Sequence, residues 1–553
     1  MLHAVDTAVA QKARGAFFTP EPLARFVTDW AVRSPGDVVM EPSCGEAAFL
    51  THAVRRLAEL NPDSSAPEVF GVEIFEESAA TANELVAANG GIPHIEVADF
   101  FQVTAEPRFD AVIGNPPYIR YQDFSGEART RSREVALRAG VALTGLASSW
   151  AAFTVHAAQF LKPGGRMGLV VPAELLSVNY AAPVREYLMQ AFEQVDMVMF
   201  TERVFPAVQE EVVLLMASGF GGKPAGHANV FQTLNAETLF DVLTPTTWVP
   251  GTPDGKWTTS LLEADVLRAY GEIVSSDAFC PLEEWGDTTL GMVTGNNKFF
   301  AMSPARASEL GIPQNELLRL SPPGSAHLRG LKLTQKGWKA LGQDGKATLL
   351  WRPDQDEISD ASLAYIATGE RANVQAAYKC RVRKPWWRVP LVRPADLFLT
   401  YMNADTPRIT TNEARAHHLN SVHGIYLRRE HQSLGKESLP LAALNSLTFV
   451  GAEMVGRAYG GGMLKIEPRE ADRLPVPSPA VVEAAALVLK RVRPYLQTNL
   501  RNGRLIEAAQ QVDDALLVGE LGVGRKDVKN LREAYVQLAA RRKARGSKKN
   551  AGA

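Results

Sequence analysis

The sequence predicts an α/β protein whose N-terminal half is an open sheet wrapped by helices, and three observations predict it. Short apolar runs recur at residues 38–41, 69–73, 95–98, 109–113, 167–171, 195–200 and 212–217, the pattern of strands buried on both faces. Helical stretches precede or separate several of them, over 24–32, 50–60 and 151–161. The first four runs end on chemistry-bearing residues, Glu41, Glu73, Asp99 and Asn115. Ligands of open α/β sheets bind at that carboxyl edge.

Before the first strand, Thr19 suits a helix N-cap, with Pro20 at the first helical position. The first strand ends at Glu41 and passes into Pro42, Ser43, Cys44 and Gly45, small residues that let backbone approach a ligand. A single glycine in that turn does not make a dinucleotide fingerprint. The second strand delivers Glu73, followed by Ile74, and an acid there can accept two ribose hydroxyls. The third leads into Asp99 and Phe100, an acceptor for an amino group beside an aromatic edge. Each acid alone reads equally well as a surface charge. Three in order at successive strand tips do not.

The fourth tip carries the most information. Phe109 to Gly114 runs into Asn115-Pro116-Pro117-Tyr118, where two prolines stop any sheet ladder. In isolation Asn-Pro-Pro is a turn. At the end of a buried strand it presents a carboxamide oxygen, a rigid backbone carbonyl and a flat ring. Two fixed acceptors draw the N–H bonds of a conjugated amine and favour a tetrahedral nitrogen with a free lone pair. Tyr118 offers a stacking face for the ring that bears the amine. The chemistry indicated is methyl transfer to an amino nitrogen.

These motifs resemble the S-adenosylmethionine-dependent DNA adenine-N6 methyltransferases of the gamma arrangement, the TaqI and Eco57I types, over roughly residues 12–480. The resemblance implies a Rossmann-like seven-stranded methyltransferase sheet with helices on both faces. It implies that Phe18, Thr19 and Pro20 meet the cofactor, and that Glu41, Ser43, Cys44 and Gly45 cradle its methionine part. Glu73 and Ile74 then face the ribose, Asp99 and Phe100 the cofactor adenine, and Asn115 the reacting centre. Phe205, in a Val-Phe-Pro loop and by type alone a core residue, becomes the ring opposite Tyr118 on a flipped target adenine. The expected activity is site-specific methylation of adenine N6 in duplex DNA, within a restriction-modification or phage-defence system that includes a cognate endonuclease.

The chain of 553 residues is too long for one core. It divides, on composition, into a catalytic domain over 1–245, a mixed α+β target-recognition domain over 246–478 and a helical extension with a basic tail over 479–553. Helices are expected at 478–492, 506–517 and 527–544, the first stopped by Pro494. The net charge of −2 excludes a uniformly basic nucleic-acid coat. Locally, residues 371–410 hold eight Lys or Arg against two Asp. Within them Arg381, Arg383, Lys384, Trp386, Trp387 and Arg388 interleave cations with rings, which suits phosphate contact plus stacking, or a solvated face over a buried Trp pair. Three widely spaced cysteines indicate neither a disulfide framework nor a zinc site. No apolar stretch is long enough to span a bilayer, and a cytoplasmic, reduced protein is expected.

Two other readings fit part of the pattern. Asn-Pro-Pro-Tyr also serves enzymes that methylate RNA bases or protein glutamines, although the large C-terminal region disfavours the latter. A DNA-binding specificity subunit with an inert catalytic half would not need Glu41, Glu73, Asp99 and Asn115 all in place.

Overall fold

Alternating strand and helix patterns in the first half build one large sheet in the computed structural model of the chain. The structure describes residues 19–62, 65–202, 204–205, 211–241, 244–250, 252 and 254–546. They divide into two compact units, one ending at Leu261 and one beginning at Leu262.

In the first unit the strands are β1 (Val39–Glu41), β2 (Glu68–Glu73), β3 (Ile92–Val97), β4 (Phe109–Gly114), β5 (Leu161–Pro172), β6 (Gln194–Phe200), β7 (Val212–Ser218), β8 (Ala228–Thr233) and β9 (Thr246–Trp248). Their order is β3-β2-β1-β4-β5-β7-β6-β8-β9. The pairings from β3 across to β5 are all parallel, whereas β7 runs antiparallel to both β5 and β6. Nine strands, not seven, therefore form the sheet. The two extra ones, β8 and β9, lie where scattered Gly, Pro and Thr leave little periodicity in the sequence. β9 is short and largely exposed, as an edge strand can be.

Val69, Ala111, Val112, Ile113, Leu169 and Val170 have no exposed surface, as expected of strands covered on both faces. Two groups of helices cover them. The first is α1 (Glu21–Ala31), α2 (Ala48–Leu60) and α3 (Glu76–Ala88); the second is α4 (Gly126–Arg138), α5 (Ser149–Ala158) and α6 (Ala182–Ala191). Strand order reverses between β1 and β4, so a crevice opens there at the carboxyl edge.

The second unit is built from smaller antiparallel sheets. The largest has four strands in the order Gly286–Leu290, Val422–Leu427, Leu397–Thr400, Ile409–Thr411. The stretch after Gly295 begins as a helical turn over Asn297–Phe300, where the Asn296 side chain accepts from Phe299 N at 3.2 Å. The main helices are α7 (Ser446–Val455), α8 (Ala486–Arg501) and α9 (Arg525–Gly546). Pro494 does not end its helix. α8 runs through it, with Leu489 and Leu496 buried on either side, so packing outweighs a proline cost of about 3 kcal/mol. The predicted 506–517 helix is an α-helical Leu505–Val512 that widens into π geometry over Asp513–Glu520. Among the described residues no single helix is long and apolar enough to cross a membrane.

Candidate active site

Four strand tips converge on the β1/β4 crevice. The cavity there measures about 420 Å³, and its lining includes Thr19, Glu41, Ser43, Glu73, Asp99 and Asn115. Small-molecule sites are commonly of this size, about 300–1,000 Å³.

Glu41 is 2 % exposed, and its Oε2 accepts from Leu50 N at 3.3 Å. Leu50 lies in the first turn of α2, so this carboxylate satisfies an otherwise unpartnered helix-end donor. Burial pushes its pKa well above the usual glutamate range, backbone hydrogen bonds pull it back in part, and neighbouring Glu73 raises it further. The turn that follows needs left-handed backbone at Gly45 (φ +49°) and Ala47 (φ +62°). Glu73 bridges two turns: it accepts from Gly45 N and Phe75 N, each at 2.9 Å. A carboxylate offers about four lone-pair sites, so two remain for a ligand. Ile74 and Phe75 keep 57 % and 41 % of their surface exposed, a large apolar area at the cavity wall.

Asp99 accepts from Phe101 N at 3.0 Å, and its other oxygen pairs with Arg131 of α4 at 3.2 Å. Phe100 lines the cavity but is largely core, packed on Phe153, His156 and Phe160. Phe101 and Phe124 join the lining beside it; nothing in the local sequence distinguished Phe101 from Phe100.

Asn115 is held at both ends of its carboxamide. Nδ2 donates to Thr19 Oγ1 at 3.2 Å, and the Tyr118 hydroxyl lies 2.6 Å from Oδ1. Thr19 does not cap α1: Pro20 is the N-cap, without a side-chain hydrogen bond, and the Thr19 hydroxyl serves Asn115 instead. Ser149, which the sequence did not single out, fixes the loop by donating to the Pro117 carbonyl and accepting from Ile119 N at 2.9 Å. Ser43 Oγ donates to the Asn115 carbonyl at 3.3 Å. Among the described residues the Pro116 carbonyl keeps no protein donor, so it and Asn115 Oδ1 are the loop's two available acceptors. Tyr118 is 9 % exposed and Phe205, beyond β6, is 5 % exposed. Phe18 lies outside the described residues.

The basic aromatic stretch sits in the second unit. Trp387 is core, 6 % exposed, and Trp386 packs on Phe299 and Phe300. Arg383 donates to the Thr294 carbonyl at 2.7 Å and to that of Val293. Arg388 donates to Gln355 at 2.9 Å, whereas Arg381 and Lys384 are exposed.

Residues 4–219 match the N-6 DNA Methylase family, and residues 254–517 match the C-terminal domain of the Type II methyltransferase M.Eco57I. The chain belongs to the N6-adenine DNA methyltransferase family. Among its relatives, the Type II methyltransferase M.AccI of Acinetobacter calcoaceticus is 22 % identical over 488 residues, covering 84 % of this chain and 85 % of the relative. The Type II methyltransferase M.XamI of Xanthomonas campestris pv. amaranthicola is 25 % identical over 480 residues with the same coverage. In fold, the Type IIL restriction-modification enzyme MmeI, solved in complex with DNA, matches 94 % of this chain and 75 % of its own, at TM-score 0.55 and 14 % identity. Family membership makes the β1/β4 crevice the candidate methyl-transfer site.

The raised pKa of Glu41 has a measurable consequence for this family member. Its folded-state pKa lies above its unfolded value, so the folded state binds the proton more tightly. Its contribution to stability is therefore full below the unfolded pKa and is lost as pH rises through the folded one. Glu41→Gln removes that loss. Urea midpoints at pH 4.5, 6 and 8 are expected to converge with wild type at the acid end and to favour the variant at pH 8; parallel profiles would refute the assignment.

Proposed function

We propose that this chain is a site-specific DNA methyltransferase of the gamma arrangement. It moves a methyl group from S-adenosylmethionine to N6 of an adenine flipped out of duplex DNA, in the cytoplasm and within a restriction-modification or phage-defence system. The observation that carries the reading is the Asn115 carboxamide, fixed at both ends beside a cavity lined with acids from three neighbouring strand tips.

The residues present fit the cofactor. Glu73 keeps lone pairs for two ribose hydroxyls, Asp99 offers an acceptor for the adenine amino group, and Ile74 and Phe75 supply apolar cover. When bound, S-adenosylmethionine supplies an electrophilic methyl carbon on a sulfonium. The chain's part is to prepare the nucleophile. Asn115 Oδ1 and the Pro116 carbonyl accept the two N–H bonds of the target amine, which frees its lone pair from the ring. Ser149 and the two prolines hold that geometry. Incubation with duplex DNA, RNA and protein in separate reactions, each with radiolabelled methyl donor, tests the reading. Label in N6-methyladenine of duplex DNA is expected, and label only in RNA or protein would overturn it.

Arg381 and Lys384 are solvent-facing cations of the basic stretch and are assigned to phosphate. Their double replacement by alanine is expected to reduce the slope of log affinity against log salt by about 1–2. Fluorescence anisotropy of labelled duplex across a salt series measures it; an unchanged slope removes these residues from the interface.

A further inference from the structure

A phenol hydroxyl has one proton. The Tyr118 hydroxyl nevertheless lies 2.6 Å from Asn115 Oδ1 and 2.7 Å from the Val170 carbonyl of β5, both acceptors. Only one can receive the proton at a time. We propose that this hydroxyl is a switching donor that positions Asn115: it donates to Oδ1 in the resting enzyme and turns to the Val170 carbonyl when a substrate N–H takes its place. The inference rests on the amino-methyltransferase reading above and assigns a residue role within it.

Three features carry it. Val170 is fully buried, so water is a poor substitute donor for its carbonyl, whereas Asn115 lines the cavity where a ligand can reach it. A buried acceptor left without a donor costs about 1–3 kcal/mol. In the resting enzyme the single proton serves Asn115 Oδ1 at the expense of the Val170 carbonyl, and the turn to Val170 removes that shortfall once Asn115 Oδ1 holds the amine. Thr19 keeps Nδ2 fixed throughout, so the carboxamide does not rotate as its partner changes. No covalent bond forms or breaks; one O–H reorients. A role limited to stacking needs the ring of Tyr118 and not its hydroxyl.

Tyr118→Phe separates the two roles because it keeps the ring. Expected is a fall in kcat of about tenfold, the loss of roughly one neutral hydrogen bond, with KM for DNA and cofactor unchanged within about twofold. Combined with Asn115→Ala, the substitution is expected to add no further loss, because the hydroxyl acts through that carboxamide. Thr19→Val, which releases the other end without touching the ring, is expected to give the same kcat signature and serves if Tyr118→Phe does not fold. A wild-type kcat in the folded variant, a change in KM alone, or an additive loss on the Asn115→Ala background would each overturn the inference and leave the function intact. Absence of transfer to DNA by the wild-type protein would overturn the function itself, and this inference with it.

Discussion

Asn115→Ala is expected to lower the rate of methyl transfer to DNA by at least about a hundredfold while leaving cofactor affinity within a few fold of wild type. The expectation follows from what the carboxamide does and does not touch. It lies between Thr19 and Tyr118 in the lining of the cavity, and the groups assigned to the ribose and adenine of the cofactor come from other strand tips. Its removal deletes one of the two acceptors that draw the target amine away from conjugation, an interaction strongest in the transition state. Asn115→Asp retains an acceptor but loses the Nδ2 bond to Thr19, so its rate is expected between those of wild type and Asn115→Ala. Single-turnover methylation with isothermal titration of the cofactor separates rate from binding. An alanine variant that methylates at the wild-type rate would remove Asn115 from the chemistry.

The strand tips were legible because their information is local. A buried strand ending in an acid, or in Asn-Pro-Pro-Tyr, exposes its last side chain at one sheet edge whatever the rest of the chain does. What each acid binds was not equally legible. Glu41 and Glu73 look alike in sequence, yet the first is largely engaged by the N-terminus of α2 and the second braces two turns beside the cavity. Capping and ligand binding draw on the same carboxylate, and only three-dimensional neighbours distinguish them.

Burial of long side chains was less legible still. The pattern of alternating cations and rings over 378–388 suits both a nucleic-acid surface and a folded corner. Trp387 faces the core because Trp351 and the sheet around it lie behind it, a neighbour 36 positions away in the chain. The basic C-terminal end shows the same limit. The helix expected to residue 544 is present and runs through Gly546, but Arg542, read as part of a basic tail, is buried within it. Residues 547–553 of that tail lie outside the described residues.

That arginine carries the largest expected effect on stability. Arg542 is 4 % exposed and pairs with Glu453 of α7, itself buried, at 2.7 Å. It also donates to the Asp405 carbonyl at 2.7 Å and to that of Gly462. The turn at Gly460, Gly461 and Gly462 admits this contact because a Cβ on Gly462 would stand 2.9 Å from Lys543 Cα. Arg542→Ala would leave Glu453 a buried carboxylate without its cation. Burial already raises the Glu453 pKa while Arg542 opposes that rise, so loss of the guanidinium drives it higher. Removing one member of a buried pair costs about 3–5 kcal/mol, whereas replacing both by apolar residues of similar volume is often neutral. Calorimetry of the full chain is expected to show the second unit's transition at lower temperature in Arg542→Ala and largely restored in the Glu453→Leu/Arg542→Met double variant. The raised Glu453 pKa also sets a sign: the deficit of Arg542→Ala should shrink toward low pH, where the orphaned carboxyl is protonated in both states. A deficit independent of pH would mean that the lost contacts to the two carbonyls, and not the orphaned charge, dominate the cost.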